Sequence, residues 1–201
     1  ETYGKLQESM YMFQPGFEVV LRPVRSYPYG VGANVFGYIS EISPSMLADT
    51  TGRYSAYQQG DYIGMTGLER TYEPVLMGQR GIQYLVKDNL NRPQGPLENG
   101  EFDTVAIAGK NLRLAMDIEL QLLGEKMMKG KVGSIVAIDP QTGGILAMVS
   151  GPTYDPNLLS GSYRAKNLGR LFTDTVSPMI NRTVQAAYPP GSTFKPITGL
   201  I

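Results

Sequence analysis

Apolar residues recur along this chain in short runs separated by glycine, proline and polar turns. FEVVLRP (17–23) has the β-branched, apolar character of a strand, and SYPYGVGAN (26–34) is a loop by its proline and glycine content. In TGLERTYEPVLMG (66–78), Thr66 and Glu69 have capping-box spacing, and Leu68, Tyr72, Val75 and Leu76 share one helical face. The pattern predicts a helix there, stopped by Gly78, although Pro74 opposes a straight one. GIQYLVKD (81–88) alternates at Ile82, Tyr84 and Val86, and DTVAIAG (103–109) is a further strand candidate.

The texture changes near residue 110. NLRLAMD (111–117) alternates like a strand, and Asp117 can then begin a helix running to about Met128. Leu120, Leu123, Gly124 and Met127 fall on one face of that helix, with Gly130 as its stop. VGSIVAIDPQTGGILAMVSGP (132–152) follows. Its two near-continuous apolar runs around DPQTGG predict a hairpin buried on both sides. YDPN (154–157) opens a polar region, and VSPMINRTVQAAYPPG (176–191) holds a short helix candidate. A helix followed by a hairpin points to α+β and not to alternating βαβ units.

Composition narrows the chemistry. The chain has 201 residues with 18 basic and 18 acidic side chains, so nothing in its charge favours nucleic acid or anionic lipid. Glycine (24) and proline (14) are frequent without reaching the ~25–30% of low-complexity disorder. There is no histidine and no cysteine, which excludes Ser-His-Asp triads, thiol nucleophiles and thiolate zinc sites. A nucleophilic enzyme of this composition must use Ser, Thr, Tyr or a carboxylate, with Lys, Asp, Glu or Tyr as base. No cofactor or metal site is expected. No apolar run approaches the ~18 residues of a membrane helix.

YPPGSTFKP (188–196) offers one such pair. Ser192 and Lys195 are three apart, so both side chains lie on one face of a helical first turn beginning at Ser192. A lysine amine beside the hydroxyl can take its proton, provided burial or a neighbouring cation keeps that amine neutral. Unpaired N–H groups at the start of the turn can hold a developing oxyanion. Spacing alone is weak support, because a capping serine followed by a solvated lysine gives the same pattern.

The surrounding blocks carry more. YPPGSTFKP resembles the active-site serine motif of penicillin-binding proteins. RSYPYGVGANVFGYISEI (25–42), GMTGLERTYEPVLMGQRG (64–81), LRLAMDIELQ (112–121) and GSIVAIDPQTGGILAMVSGPTYDPN (133–157) are similar to family blocks in the same order. YPYG with GYIS and TGLE is most similar to class B, elongation-type members, with division-type transpeptidases the nearest competitor. The resemblance implies a β-rich, dimerisation-like pedestal domain over 1–109. Residues 110–201 would be the first part of a transpeptidase domain of the penicillin-binding-protein/β-lactamase type.

It further implies that Ser192 is the acylated nucleophile and an oxyanion-hole N–H donor, with Lys195 as general base. The implied partners are a peptidoglycan stem peptide ending in D-Ala-D-Ala, β-lactams and, through the pedestal, a membrane-embedded glycan polymerase and other elongation proteins. The implied location is the periplasmic side of a bacterial inner membrane, with an N-terminal anchor helix outside this chain. The family completes its site with S-x-N and K-[ST]-G; neither occurs here, VSPMIN and KGKVGS being the nearest strings. The expectation is therefore a truncated, inactive piece, poorly supported after about residue 150. The alternative is an interaction scaffold whose catalytic half is non-functional, or, less well supported, a β-lactam sensor or serine β-lactamase. Asn34 stands where related proteins often have histidine.

Other candidate chemistry has simpler readings. Glu69, Glu73 and Asp61 look like an acid group for glycoside chemistry, but capping and a solvated helix face account for them. Asp139 is better read as closing the DPQTGG turn than as a metal ligand. The 13 tyrosines lack the basic stripe that base stacking on nucleic acid would need.

Overall fold

Three two-stranded antiparallel ribbons, joined by short helices, make up the computed structural model, which describes residues 4, 6, 8–12, 24–90, 92–161 and 163–200. The strand expected at 17–23 lies outside those residues. Mixed helix and strand content agrees with the α+β expectation. Among the described residues no helix is long and apolar enough to cross a membrane.

In the N-terminal half, β1 (Ile39–Glu41) pairs with β2 (Tyr62–Gly64), opposing Ser40 to Ile63. The loop expected at 26–34 runs to Gly32, whose left-handed backbone (φ 78°) starts α1 (Ala33–Phe36). Ser43 caps α2 (Pro44–Leu47) by accepting from Met46 N–H. The helix expected at 66–78 is broken at Tyr72 (φ −104°, ψ 16°) into α3 (Gly67–Thr71) and α4 (Glu73–Leu76). Pro74 causes the break, since its ring has no N–H to give and collides with the carbonyl one turn back. Gly37 (φ 79°) and Gly67 (φ 59°) then bring α1 and α3 together: a Cβ on either would collide with the other segment's backbone.

The expected capping box does not form. Thr66 makes no side-chain cap, and Glu69 is buried at 8% exposure in a two-pronged pair with Arg25 (2.7 and 3.0 Å). That bond is the main reason the Arg25 guanidinium binds its proton more tightly than usual. β3 (Leu85–Lys87) and β4 (Pro93–Pro96) form the second ribbon, reduced from the longer strand expected at 81–88. The strand expected at 103–109 contributes isolated bridges only, Gln79 with Ile107 and Ile82 with Thr104. Residues 111–117 form no strand; Leu112 and Met116 are half-buried but Leu114 between them is exposed, so the alternation marks neither a ladder nor a continuous buried face.

The first helix of the C-terminal half begins where expected. Asp117 accepts from Glu119 and Leu120 N–H (2.9 and 3.1 Å), α5 spans Ile118–Met127, and Gly130 follows with φ 73°. The buried face differs from expectation: Gln121 and Gly124 are buried, whereas Leu120, Leu123 and Met127 are exposed. The cause is β6 (Ile145–Gly151), which pairs with β5 (Gly133–Ile138) on one side and has a free edge on the other. Gln121 closes that edge, accepting from Met148 N–H (2.9 Å) and donating to Met148 C=O (3.1 Å). Asp117 N–H donates to Leu146 C=O beside it (2.8 Å).

The hairpin is not buried on both sides either. β5 alternates, leaving Val136 and Ile138 exposed, while β6 buries Ala147, Val149 and Ser150. A two-stranded ribbon with one helix against it has only one covered face. Asp139 closes the turn as expected, accepting from Gln141 N–H and Thr142 Oγ1. The Thr142 bond is the larger reason its carboxyl titrates lower than usual.

The buried cluster of Ala33, Tyr38, Tyr154 and Leu159 draws on both halves, with Met65, Leu168, Leu171 and Met179 against it. Residues 151–160 are therefore well supported, contrary to the expected loss of support from about 150. Asp155 caps a 3-10 turn at Pro156–Leu159, Arg164 at the start of α6 (Arg164–Thr173) donates to Ser40 Oγ (2.7 Å), and Asn157 bonds Tyr27 reciprocally (2.9 Å each way). α7 (Arg182–Gln185) lies against the hairpin. Residues 187–200, by contrast, are exposed throughout.

Candidate active site

Pro189, Pro190 and Gly191 (φ 59°) turn the chain into a 3-10 turn, Gly191–Phe194, followed by α8 (Lys195–Thr198). The helix does not start as an α-turn at Ser192, as the spacing suggested. Lys195 N–H donates to Ser192 C=O, and residues three apart on a 3-10 turn eclipse. The serine and lysine thus share one side more directly than an α-turn would bring them. Thr193 ties the turn back to Pro190 C=O through its hydroxyl (2.5 Å). Pro196 sits in the first turn of α8, where no intrahelical N–H is lost.

Ser192 is the second residue of the 3-10 turn, and the first N–H groups of such a turn have no partner within it. That donor lies beside the serine hydroxyl, as oxyanion stabilisation requires. Both Ser192 and Lys195 are exposed. Among the described residues, the two stand on one turn with a free N–H and no surrounding wall.

The other acidic candidates are structural acceptors. Glu69 holds Arg25; Glu73 accepts from Tyr57 hydroxyl (2.9 Å) and Gly64 N–H (2.7 Å); Asp61 accepts from Gln58 N–H and pairs with Arg80. Glu69 and Glu73 are thus not on the solvated face expected from the sequence, but engaged as acceptors within the fold. Burial and the bond to Glu73 push the Tyr57 hydroxyl upward. These groups line a groove of about 610 Å³ that includes neither Ser192 nor Lys195.

Residues that place the loop ahead of the serine were not among the site residues expected from the sequence. Asn181 Oδ1 accepts from Thr183 N–H to cap α7 (3.2 Å), and Arg182 donates to Val176 and Ser177 C=O (2.7 and 3.0 Å). An asparagine directly before RTVQ is the available signal for the cap.

Comparison with known proteins agrees with this architecture. Residues 1–114 match the penicillin-binding protein dimerisation domain and residues 133–201 match the penicillin-binding protein transpeptidase domain. The chain belongs to the penicillin-binding proteins that carry these two domains in that order. Its relatives include the peptidoglycan D,D-transpeptidase MrdA of Escherichia coli K12, 37% identical over 185 residues, covering 90% of this chain and 29% of the relative. Among solved structures it is similar to Pseudomonas aeruginosa PBP2 in complex with WCK 5153, at 35% identity and TM-score 0.67, covering 93% of this chain and 36% of that one. It is also similar to Helicobacter pylori PBP2 in its complex with MreC, at 28% identity and TM-score 0.76, covering 98% and 36%. The chain spans under a third of the length of the curated relatives it matches.

Proposed function

We propose that this chain is part of a class B, elongation-type peptidoglycan D,D-transpeptidase that reacts through Ser192. The observation that carries the reading is the Pro-Pro-Gly turn, which sets Ser192 and Lys195 one 3-10 turn apart within the segment matching the transpeptidase domain. In the forward half-reaction, Ser192 Oγ attacks the carbonyl between the two D-alanines of a stem peptide while the Lys195 amine takes its proton. The oxyanion is held by Ser192 N–H. The terminal D-alanine then leaves with the proton, and an ester remains on Ser192. An amine of a neighbouring stem attacks that ester, forming the cross-link and returning the proton to Oγ. A β-lactam opens by the same attack but keeps its leaving nitrogen tethered.

In this reading residues 1–109 are pedestal and 110–201 begin the catalytic domain. The parent stands on the periplasmic side of the inner membrane on an N-terminal helix. The pedestal contacts a membrane-embedded glycan polymerase and other elongation proteins. The similarity to PBP2 solved with MreC, and to a chain of a peptidoglycan synthase complex, supports such contacts. The exposure of Ser192 and Lys195, and a sequence without S-x-N or K-[ST]-G, support inactivity of the 201-residue chain by itself.

The test is intact-mass spectrometry after incubation with benzylpenicillin, followed by peptide mapping. It uses the full-length protein carrying S-x-N and K-[ST]-G, with the 201-residue chain alongside. One adduct on Ser192 of the full-length protein, absent from the shorter chain, is expected. A folded full-length protein that takes no adduct would leave the scaffold reading in its place.

A further inference from the structure

The chain reaches Ser192 through residues 176–182, a loop whose carbonyls are held by side chains and not by a ladder. From the same half, Arg182 holds Val176 and Ser177 C=O, and Ser150 Oγ donates to Ile180 C=O (2.8 Å) while accepting from Arg182 N–H (3.0 Å). The remaining anchor comes from the other half. Asn34, on α1, donates both Nδ2 hydrogens, one to Pro178 C=O and one to Ile180 C=O, each at 3.0 Å. Asn181 returns a bond to Asn34 C=O (3.2 Å).

The amide can face only one way here, since the flipped form would set Oδ1 against two carbonyl oxygens. Oδ1 itself is buried without a partner among the described residues. Asn34 thus forgoes an acceptor's hydrogen bond, at a cost in stability, while gripping both carbonyls. α1 is held in turn, because Gly32 N–H at its start donates to Glu125 Oε1 (2.7 Å) on α5. Downstream, Asn181 caps α7, and every residue from 187 to 200 is exposed. Among the described residues, α7 and the loop before it are therefore the last structure that places Ser192.

We propose, resting on the assignment of Ser192 as nucleophile, that Asn34 is a positioning residue for acylation. A side chain of the N-terminal half, it sets the 176–182 loop and through α7 the turn that carries the serine. The contact makes the rate of the covalent step depend on how the two halves are seated.

The test uses the full-length protein with Asn34→Ala and Asn34→Asp, and Arg164→Ala as comparator. Arg164 also bridges the halves, through Ser40, without touching the 176–182 loop. Stopped-flow with a chromogenic cephalosporin separates the saturated acylation rate from initial binding. Thermal midpoints and amide exchange at residues 183–185 are measured on the same samples. Asn34→Ala is expected to slow saturated acylation by about tenfold, ~1.4 kcal/mol, with initial binding unchanged. Asn34→Asp, which sets two acceptors against two carbonyls, slows it further, and Arg164→Ala leaves the rate alone. Exchange at 183–185 rises in both Asn34 variants. A wild type that never acylates would refute the Ser192 assignment, while the exchange data would still judge the clasp. Wild-type acylation in Asn34→Ala, unchanged exchange at 183–185, or rate losses that merely track the thermal midpoints of all three variants would overturn the proposal.

Discussion

Replacing Gln121 by glutamate alters one atom of the amide that closes the free edge of β6. Gln121 is 1% exposed, accepts from Met148 N–H, and donates to Met148 C=O and to the Glu125 carboxylate (3.1 and 3.0 Å). An ionised carboxyl there faces a carbonyl and a carboxylate with nothing to donate. Burial and the like charge both raise its pKa, and a folded value near 7 against ~4.3 unfolded is an ordinary displacement for such a site.

An acid whose folded pKa is raised stabilises fully below its unfolded pKa and loses that contribution as pH rises through the folded one. The penalty of Gln121→Glu should therefore grow by about 2.5 kcal/mol between pH 5 and pH 8 relative to wild type. Even the neutral acid lacks one donor, which adds about 1 kcal/mol at every pH. Equilibrium urea unfolding followed by far-UV circular dichroism suits a chain without tryptophan. With a slope of ~2 kcal/mol/M, the midpoint difference from wild type should widen by about 1 M. Gln121→Met, which removes the amide without adding a charge, should show a penalty that does not change with pH. A Gln121→Glu penalty equal at the two pH values would refute the placement of this amide on the strand edge.

Three further perturbations follow from the same reasoning. Tyr27 hydroxyl is buried without a partner among the described residues, so Tyr27→Phe should be neutral or stabilising by up to about 1 kcal/mol in the urea assay. Burial also pushes Tyr27 and Tyr154 up to about 12, so stability is complete below pH ~10 and falls as pH rises toward 12; Tyr27→Phe with Tyr154→Phe should move alkaline unfolding, followed by circular dichroism, to higher pH. Gly67→Ala should cost more than about 3 kcal/mol in urea unfolding, because the left-handed backbone (φ 59°) disfavours a Cβ that would also lie 2.7 Å from Gly37 N.

What the sequence made legible is local chemistry. Asp117 as cap, Gly130 as stop and Asp139 as turn closer each act on residues within a few positions, so contiguous pattern is enough. The buried face of α5 was not legible. Periodicity favours Leu120, Leu123 and Met127, but the hydrogen-bonding demand of Met148, 27 residues away, turns Gln121 inward instead. Glu69 failed for a similar reason, its partner Arg25 lying 44 residues earlier. Pro74 announced a weakened helix, and the structure turned that into a break at Tyr72. At the candidate site the Ser192–Lys195 pair was readable from the motif. The clasp on the loop before it was not, because Asn34 and Ile180 meet only through the packing of the two halves.

Acylation of Ser192 is the chemistry on which the proposed function depends most directly. Benzylpenicillin should add one equivalent to the full-length protein, and mapping should place it on the peptide containing YPPGSTFKP, with no adduct after Ser192→Ala. An adduct that maps elsewhere, or persists in a folded Ser192→Ala protein, would contradict it.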